Sequence, residues 1–419
     1  MAEQLTPDQK GSASRILGEA IVRTRNNFPD PRFWPEVFLD TPEYHLYGLK
    51  THGHSFWATA DGIGTKPELA ERLYTLTKDP AYFQSLAFDT YAMIDGDEAR
   101  FGRFLLGIVQ IIDTSKANLD MILALEEGSE QACNEGQFAL LNGETAELGY
   151  RVGGYGDTRL NWNAVGISLV NKRKLILGKK LKPNQPIVAI RERSIRSNGL
   201  TAAKKILEVN YLRARGRTTK TGYFTHLWTT FLEEELIKGF DSRKSISEDT
   251  VTKASIKFDQ AVGVKTFEQL QVPWHEQYPD ITKELLRPSK LFGPLSYRLQ
   301  GGVDGKREVE LISAAHISGG GIPEKVRRMV QIKGLGAHIE PVFPDPEGIR
   351  MLMEMPNSVN DLEACQIWNR GIGFVMVARN LGDADRAVQI ARELGYEAAI
   401  AGEILAEPKI EFREHTWTY

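Results

Sequence analysis

The alternation of apolar and polar residues along the chain predicts a series of strands and helices. Apolar runs that end at glycine or acidic residues predict buried strands, and apolar residues spaced three and four apart predict helices. The predicted strands are 56–60, 104–112, 138–141, 164–170, 187–190, 372–378 and 398–404. The predicted helices are 12–24, 66–76, 115–133, 200–207 and 384–394, the last with Gly395 just beyond its end. This mixture predicts an α/β fold.

A change of pattern near residue 172 predicts two domains, 1–172 and 173–419. The basic stretch 171–183 between them is interpreted as a solvated connector. Residues of about 211–285 mix charged and aromatic side chains without a clear period, which predicts an insertion in the second domain. A subunit interface and a nucleic-acid contact are the alternatives for this insertion, and its acidic residues favour the first.

Composition and charge narrow the class of protein. The 52 basic and 55 acidic residues give a net charge of -3, which provides no bulk attraction to nucleic acid or an anionic membrane. Two cysteines cannot build a disulfide framework, and no apolar run approaches the roughly 20 residues of a membrane span. The N-terminus also lacks the pattern of a signal peptide. We therefore expect a cytoplasmic protein without nucleic-acid or membrane partners.

The segment 61–66 reads Asp-Gly-Ile-Gly-Thr-Lys and follows a predicted strand. Backbone N–H groups and the ammonium group of Lys66 suit phosphate oxygens, and the carboxylate of Asp61 suits Mg²⁺. The alternative is a tight turn between a strand and a helix, which needs the same glycines without any ligand.

Two further acidic segments offer oxygen ligands for a metal ion. Asp89, Asp95 and Asp97 fall within nine residues, and Glu144 follows a predicted strand with Thr145 beside it. A solvated acidic turn and a helix cap are the respective alternatives.

The segment 316–323 places one histidine, one serine and three glycines before a helix. Backbone N–H groups at a helix N-terminus bind anions, and His316 could polarise a ligand or transfer a proton. A purely structural histidine is the alternative.

Taken together and in this order, six motifs resemble those of the aminoimidazole ribonucleotide synthetase family, the phosphoribosylformylglycinamidine cyclo-ligases. They are Asp-Gly-Ile-Gly-Thr-Lys at 61–66, Asp-Thr-Tyr-Ala-Met at 89–93 followed by Asp97, Gly-Glu-Thr-Ala-Glu at 143–147, Ser-Asn-Gly at 197–199, His-Ile-Ser-Gly-Gly-Gly at 316–321 and Asn-Arg-Gly-Ile-Gly at 369–373. The resemblance implies a two-domain α/β (α+β) architecture and a homodimer whose N-terminal domains share a β-barrel.

The resemblance also implies roles for individual residues. The first domain would bind ATP, with Mg²⁺ held by Asp61, Asp97 and Glu144. The residues implied in nucleotide binding are Asp61, Gly62, Gly64, Thr65, Lys66, Asp97, Glu144 and Thr145. Those implied in binding a phosphoribosyl substrate are Ser197, Asn198, Gly319, Gly320 and Gly321, and those implied in catalysis are His316, Lys66 and Asp61. The implied reaction is the ATP-dependent ring closure of purine synthesis, in which formylglycinamidine ribonucleotide becomes aminoimidazole ribonucleotide.

Some residues depart from the family pattern. Arg196 replaces the histidine that usually precedes Ser-Asn-Gly, which keeps a hydrogen-bond donor but loses proton transfer near neutral pH. The flanks at 142, 148–150 and 366–368 differ as well. Two alternatives to the cyclo-ligase therefore stand: a diverged ATP-dependent enzyme acting on another amide or phosphate substrate, and a non-catalytic paralogue.

Overall fold

The structure, a computed structural model, describes residues 36–41, 44–51, 54–116, 118–217 and 272–419, the first two ranges as backbone only. The described chain forms two β-sheets with helices packed on them. The predicted α/β class is confirmed in this form. The predicted helix 12–24 lies outside the described residues.

The first sheet has six strands in the order β1-β2-β3-β6-β4-β5. The strands are β1 (Glu36–Thr41), β2 (Tyr44–Thr51), β3 (His54–Gly62), β4 (Phe104–Thr114), β5 (Ala139–Glu147) and β6 (Leu160–Asn171). Neighbouring strands are antiparallel except β4 and β5, which are parallel and joined by a crossover helix. The predicted strands 56–60, 104–112 and 164–170 are confirmed within β3, β4 and β6.

Three helices of the first half accompany this sheet: α1 (Pro67–Thr77), α2 (Leu86–Ala99) and α3 (Leu119–Gly136). Pro67 occupies the first turn of α1, where its missing N–H costs nothing. Asn118 caps α3 by accepting a hydrogen bond from the backbone of Met121. The helices predicted at 66–76 and 115–133 are thus confirmed, with α3 starting four residues later than expected.

Two segments differ from the sequence-based expectation. The acidic stretch 89–97 is the interior of α2, where Asp89 and Asp95 are buried, and not a solvated turn. The stretch 142–147 continues β5 and is not a loop after it. In α2 neighbouring elements supply partners for the buried carboxylates, whereas in β5 the polar side chains are exposed and the backbone stays paired with β4.

The second sheet has seven strands in the order β13-β12-β9-β11-β7-β10-β8. They are β7 (Pro186–Arg191), β8 (Leu311–His316), β9 (Gly336–Ile339), β10 (Ile372–Ala378), β11 (Ala398–Leu405), β12 (Lys409–Phe412) and β13 (His415–Thr418). All pairs are antiparallel except β9 with β12. The strands predicted at 187–190, 372–378 and 398–404 are confirmed.

Seven described helices accompany the second half. They are α4 (Leu200–Ala214), α5 (Pro279–Leu285), α6 (Gly293–Leu299), α7 (Gly321–Val330), α8 (Glu347–Glu354), α9 (Asp361–Ile367) and α10 (Leu381–Glu393). Gly395 follows α10 with φ +81°, as predicted for a residue beyond a helix end. Strands β8 and β10 are buried along their length, with one apolar core on each side of the sheet.

The largest apolar core contains residues from both sides of position 172. Tyr91 and Trp162 belong to the same cluster as Leu200, Trp274 and Leu285. Packing is therefore continuous across the predicted domain boundary, whose assignment stays a prediction. Within the predicted insertion, 272–285 is part of this core, and 218–271 lies outside the described residues.

The basic connector is only partly solvated. Lys174 is buried, and its ammonium group donates hydrogen bonds to the carbonyls of Gln300 (2.6 Å) and Gly302 (2.8 Å). The interpretation of a solvated stretch is wrong for this residue because the second half of the chain folds over it. None of the helices within the described ranges is both long enough and apolar enough to cross a membrane.

Candidate functional site

Two of the predicted polar segments meet along α2. The hydroxyl of Ser197 donates a hydrogen bond to the carbonyl of Asp89 (3.3 Å), and the amide nitrogen of Asn198 lies 3.5 Å from the sulfur of Met93. Gly64 has φ +69°, and a Cβ built on it would lie 3.7 Å from the Ser197 carbonyl oxygen. The 61–66 and 196–199 segments are therefore neighbours.

His316, at the end of β8, contacts α2 one turn further along. A Cβ built on Gly96 would lie 2.6 Å from Cγ of His316, which is closer than atoms can pack, so the ring sits where only glycine leaves room. A Cβ on Gly319 would lie 3.0 Å from Oδ1 of Asn198. The predicted segment 316–321 thus joins the other two, with α7 starting at Gly321 behind it.

The imidazole of His316 is buried and close to Asp97. Its Nδ1 lies 3.3 Å from Oδ1 of Asp97, while its Nε2 has no hydrogen-bond partner among the described residues. Burial, helped by the positive charge of Arg196, lowers the pKa of His316 to about 4 although Asp97 opposes the shift. The ring is therefore neutral at neutral pH. With its proton on Nδ1, as Asp97 favours, Nε2 is an acceptor.

Asp61 and Asp97 form an acidic pair beside this histidine. Burial and then the charge of Asp97 raise the pKa of Asp61 to about 6, against the Gly62 N–H (2.7 Å) and Lys325. Desolvation acts to raise the pKa of Asp97 as well, but Arg100, His316 and Lys325 together lower it well below its usual range. Two carboxylates that couple electrostatically offer the oxygen ligands that a hard cation prefers, and the predicted Mg²⁺ role of Asp61 and Asp97 stays a prediction.

Glu144 does not join this pair within one chain. The strand register places Asp61, Ala164, Gln110 and Gly143 in one row across the sheet, so Glu144 falls in the next row. Successive side chains point to opposite faces, and three strand spacings from β3 to β5 amount to about 14 Å. The predicted set of Asp61, Asp97 and Glu144 is therefore not assembled by one subunit, and the roles of Glu144 and Thr145 stay predictions.

Lys66 has a buried partner that the sequence did not reveal. Its ammonium group lies 2.7 Å from Oδ1 of Asp89 and donates to the carbonyl of Arg287, also at 2.7 Å. Both charged side chains are fully buried. Breaking such a pair leaves an uncompensated charge, so this amine reaches a phosphate only if the pair opens.

Arg196 is a buried cross-link and not an open donor for a ligand. Its guanidinium group binds the carboxylate of Glu192 (2.7 Å) and the carbonyls of Lys290 (3.1 Å) and Ala92 (3.0 Å). The residue is 1% exposed. Arg196 therefore keeps its hydrogen-bond donors, as expected from the sequence, but their partners lie within the protein.

A cleft of about 290 Å³ adjoins the 61–66 segment, and its walls include Gly64, Thr65 and the loop 148–154. Glu71 of α1 holds this loop, since its carboxylate accepts the N–H groups of Tyr155 (2.6 Å) and Leu160 (2.8 Å). Burial raises the pKa of Glu71 to about 8. Sequence reasoning missed Glu71, Gly96 and Lys325; the glycines at 153, 154 and 156 were the available signal for this loop.

Comparison with known proteins agrees with the resemblance. Residues 298–415 match the family model described as AIR synthase related protein, C-terminal domain. The phosphoribosylformylglycinamidine cyclo-ligase of Carboxydothermus hydrogenoformans is 25% identical, over 86% of this chain and 84% of that protein. The same-named protein of Sorangium cellulosum is 22% identical, over 95% and 94%.

A solved structure shares the fold of this chain. The crystal structure of thiamine-monophosphate kinase from Stenotrophomonas maltophilia superposes with a TM-score of 0.50 at 13% identity, covering 94% of both chains. At that identity the match concerns the two-sheet α/β fold alone. The family model over residues 298–415 and the curated relatives over most of the chain show that the chain is related to the AIR synthase related superfamily.

The contact between Gly96 and His316 can be tested by a double-mutant cycle. Gly96→Ala forces the ring to move and should lower the free energy of unfolding by about 1–3 kcal/mol. In a His316→Ala background the same change should be neutral or stabilising, because the ring is gone and alanine favours a helix. Urea unfolding measures both, and Gly382→Ala on α10 is the control, because a Cβ there would meet only Oδ1 of Asn380, at 3.4 Å. If the losses of unfolding free energy in the two single variants add up to that of the double variant, the ring does not occupy this space.

Glu71 predicts a pH-dependent stability. Because its pKa is raised in the folded state, the folded protein retains a proton that the unfolded chain releases. Relative to Glu71→Gln, the free energy of unfolding should fall between about pH 5 and pH 8, by up to about 1.4 kcal/mol per pH unit. Urea unfolding across this range measures the difference, with the exposed Glu130→Gln as control. A difference that stays constant with pH would contradict the assignment.

Proposed function

We propose that this chain is an ATP-dependent cyclo-ligase that closes the imidazole ring of a phosphoribosyl amidine, the activity named for its curated relatives. The observation that carries the proposal is the meeting of three polar loops, 61–66, 196–199 and 316–321, on one buried helix that packs on the first sheet. The relatives support it because their similarity extends over 84–94% of their own lengths.

The reaction needs an activated oxygen and a held substrate. The formyl oxygen of formylglycinamidine ribonucleotide leaves poorly until the γ-phosphoryl group of ATP is transferred to it. The amidine nitrogen then attacks the formyl carbon and the ring closes. The bond between this carbon and the phosphorylated oxygen breaks, and phosphate leaves carrying that oxygen. One ATP therefore yields ADP and phosphate. Positioning and charge stabilisation supply most of the catalysis in such transfers.

Each loop has a part in this proposal. Asp61 and Asp97 would hold the Mg²⁺ that neutralises phosphate charge. Ser197, Asn198 and the backbone of Gly319, Gly320 and Gly321 would bind the phosphoribosyl group. The Nε2 of the neutral His316, which has no partner among the described residues, would accept a hydrogen bond, or a proton, from the amidine.

A second candidate is a related ATP-dependent enzyme with a different amide or phosphate substrate. Arg196 favours it, since its guanidinium group is bound within the protein at a position where the cyclo-ligases usually have histidine. An enzyme that binds Mg²⁺–ATP but does not turn over formylglycinamidine ribonucleotide would support this candidate.

We also propose that the chain forms a homodimer through the outer face of the first sheet. This face carries apolar side chains: Ala58, Ala60, Val109, Ile111, Leu141, Val165 and Ile167. Ile111 is 48% and Leu141 is 52% exposed. Contiguous exposed apolar surface marks an interface, and a two-fold axis would cover it with its own copy. Glu144 lies on the same face, so in the proposed dimer it would be close to the partner subunit.

The proposed reaction can be tested directly with purified protein, formylglycinamidine ribonucleotide, ATP and Mg²⁺. We expect aminoimidazole ribonucleotide and ADP in equal amounts, and at least about a hundredfold loss of turnover in Asp61→Asn because the Mg²⁺ site loses charge. The exposed Asp120→Asn on α3 is the matched control. A folded wild-type protein without turnover would refute the cyclo-ligase proposal.

The proposed dimer predicts that a charge on the outer face dissociates it. Ile111→Asp should convert the dimer into a monomer, because a buried unpaired carboxylate costs several kcal/mol at an interface. Light scattering after gel filtration measures the mass. Leu381→Asp is the control, since Leu381 is 63% exposed at the start of α10 and away from this face. A wild-type monomer, or a dimer that survives Ile111→Asp, would rule out this interface.

A further inference from the structure

The cleft beside the 61–66 segment has no ligand assigned to it so far. Gly64 and Thr65 form part of its wall, and the loop with Arg151, Gly153 and Gly154 forms another part. Its volume of about 290 Å³ falls just below the roughly 300–1,000 Å³ of pockets that enclose whole small ligands. A cleft of this size suits one portion of a larger ligand, such as a phosphate chain.

The cation expected at this segment is already bound elsewhere. Lys66 is fully buried with Asp89, so its ammonium group does not line the cleft. The side chain of Arg151 is exposed, lines the cleft, and has no hydrogen-bond or ion-pair partner in the part of the chain that the structure describes, while the backbone N–H donates to Leu148. It is also the one basic side chain among the described residues that form the walls.

Most of the acidic groups around the cleft are neutralised, so they do not repel an anion. Glu68 is bound by Arg72 (2.8 Å) and by Lys204, so its charge is balanced. The carboxyl group of Glu71 receives two backbone N–H groups and is protonated for the most part at neutral pH. Asp113 remains, and a carboxylate beside phosphate oxygens is usual where a divalent ion accompanies a nucleotide.

The loop that carries Arg151 is held in place at its far end. Tyr155 stacks on the guanidinium group of Arg72, with 4.0 Å between the guanidinium carbon and the ring centre. Gly154 has φ +148°, and a Cβ on it would lie 2.4 Å from Oε2 of Glu71, so the loop closes on that carboxyl group. A wall fixed in this way loses little conformational entropy when a ligand binds.

We propose that Arg151 is the cation that binds the phosphate chain of the nucleotide in this cleft, opposite the backbone of Gly64 and Thr65. The assignment rests on the proposed ATP-dependent function for the identity of the ligand. The guanidinium group of Arg151 is the planar, bidentate donor that phosphate oxygens prefer. It would take the role that the sequence motif predicts for Lys66.

The test compares Arg151→Ala, Arg151→Lys and Arg173→Ala with the wild-type protein by calorimetric titration. Arg173 is an exposed arginine of the same half that does not line the cleft, so it controls for the loss of one charge. The probes are Mg²⁺–ATP, Mg²⁺–tripolyphosphate and adenosine. We expect Arg151→Ala to weaken both phosphate probes about tenfold or more and to leave adenosine unchanged. Arg151→Lys should retain part of the affinity, and Arg173→Ala all of it.

Two outcomes would overturn the assignment: wild-type and Arg151→Ala proteins that bind the phosphate probes equally, or a wild-type protein that binds neither. Binding of tripolyphosphate that depends on Arg151, without binding of ATP, would uphold the anion site and refute the ATP-dependent function. Failure of the proposed function is thereby distinguished from failure of the site.

Discussion

The burial of α2, which packs on the first sheet and against α6 of the second half, is the constraint on which the other contacts of the molecule depend. A buried helix that carries carboxylates is stable only if each finds a partner. Asp89 binds Lys66, Asp95 accepts the N–H groups at the start of α6, and Glu98 binds Arg103 (2.8 Å). These partners come from both halves of the chain. The loops of the candidate site are therefore fixed relative to one another because they are anchored to the same helix.

The sequence predicts about half of the described elements of this fold, and the helix at its centre is among those that it does not predict. Strands such as β4 and β10 are recognisable as continuous apolar runs. Helices such as α3 and α10 are recognisable because one apolar face repeats with a period of 3.6 residues. Helix α2 is buried on all sides and mixes apolar residues with acids around its circumference. A helix covered all round has no preferred face, so a periodicity of 3.6 cannot reveal it.

The candidate site was predictable as segments and not as an arrangement. Glycines beside polar residues identified 61–66, 197–199 and 316–321, and the structure brings all three together. Glu144 and Asp61 lie on the same face of the sheet only in one of two strand registers, because a shift by one residue moves every side chain to the other face. No local motif determines this register. The partners of Lys66 were equally hidden, since one of them, Arg287, is 221 positions away along the chain.

The distribution of the α2 partners has a consequence for how the protein loses its structure. Neither half can detach while α2 stays folded, because removing either one would leave buried carboxylates without partners and would expose the shared core around Tyr91 and Trp274. The two sheets are thus separate in hydrogen bonding but form one cooperative unit, in which partial opening is penalised more than it is between domains joined by a linker.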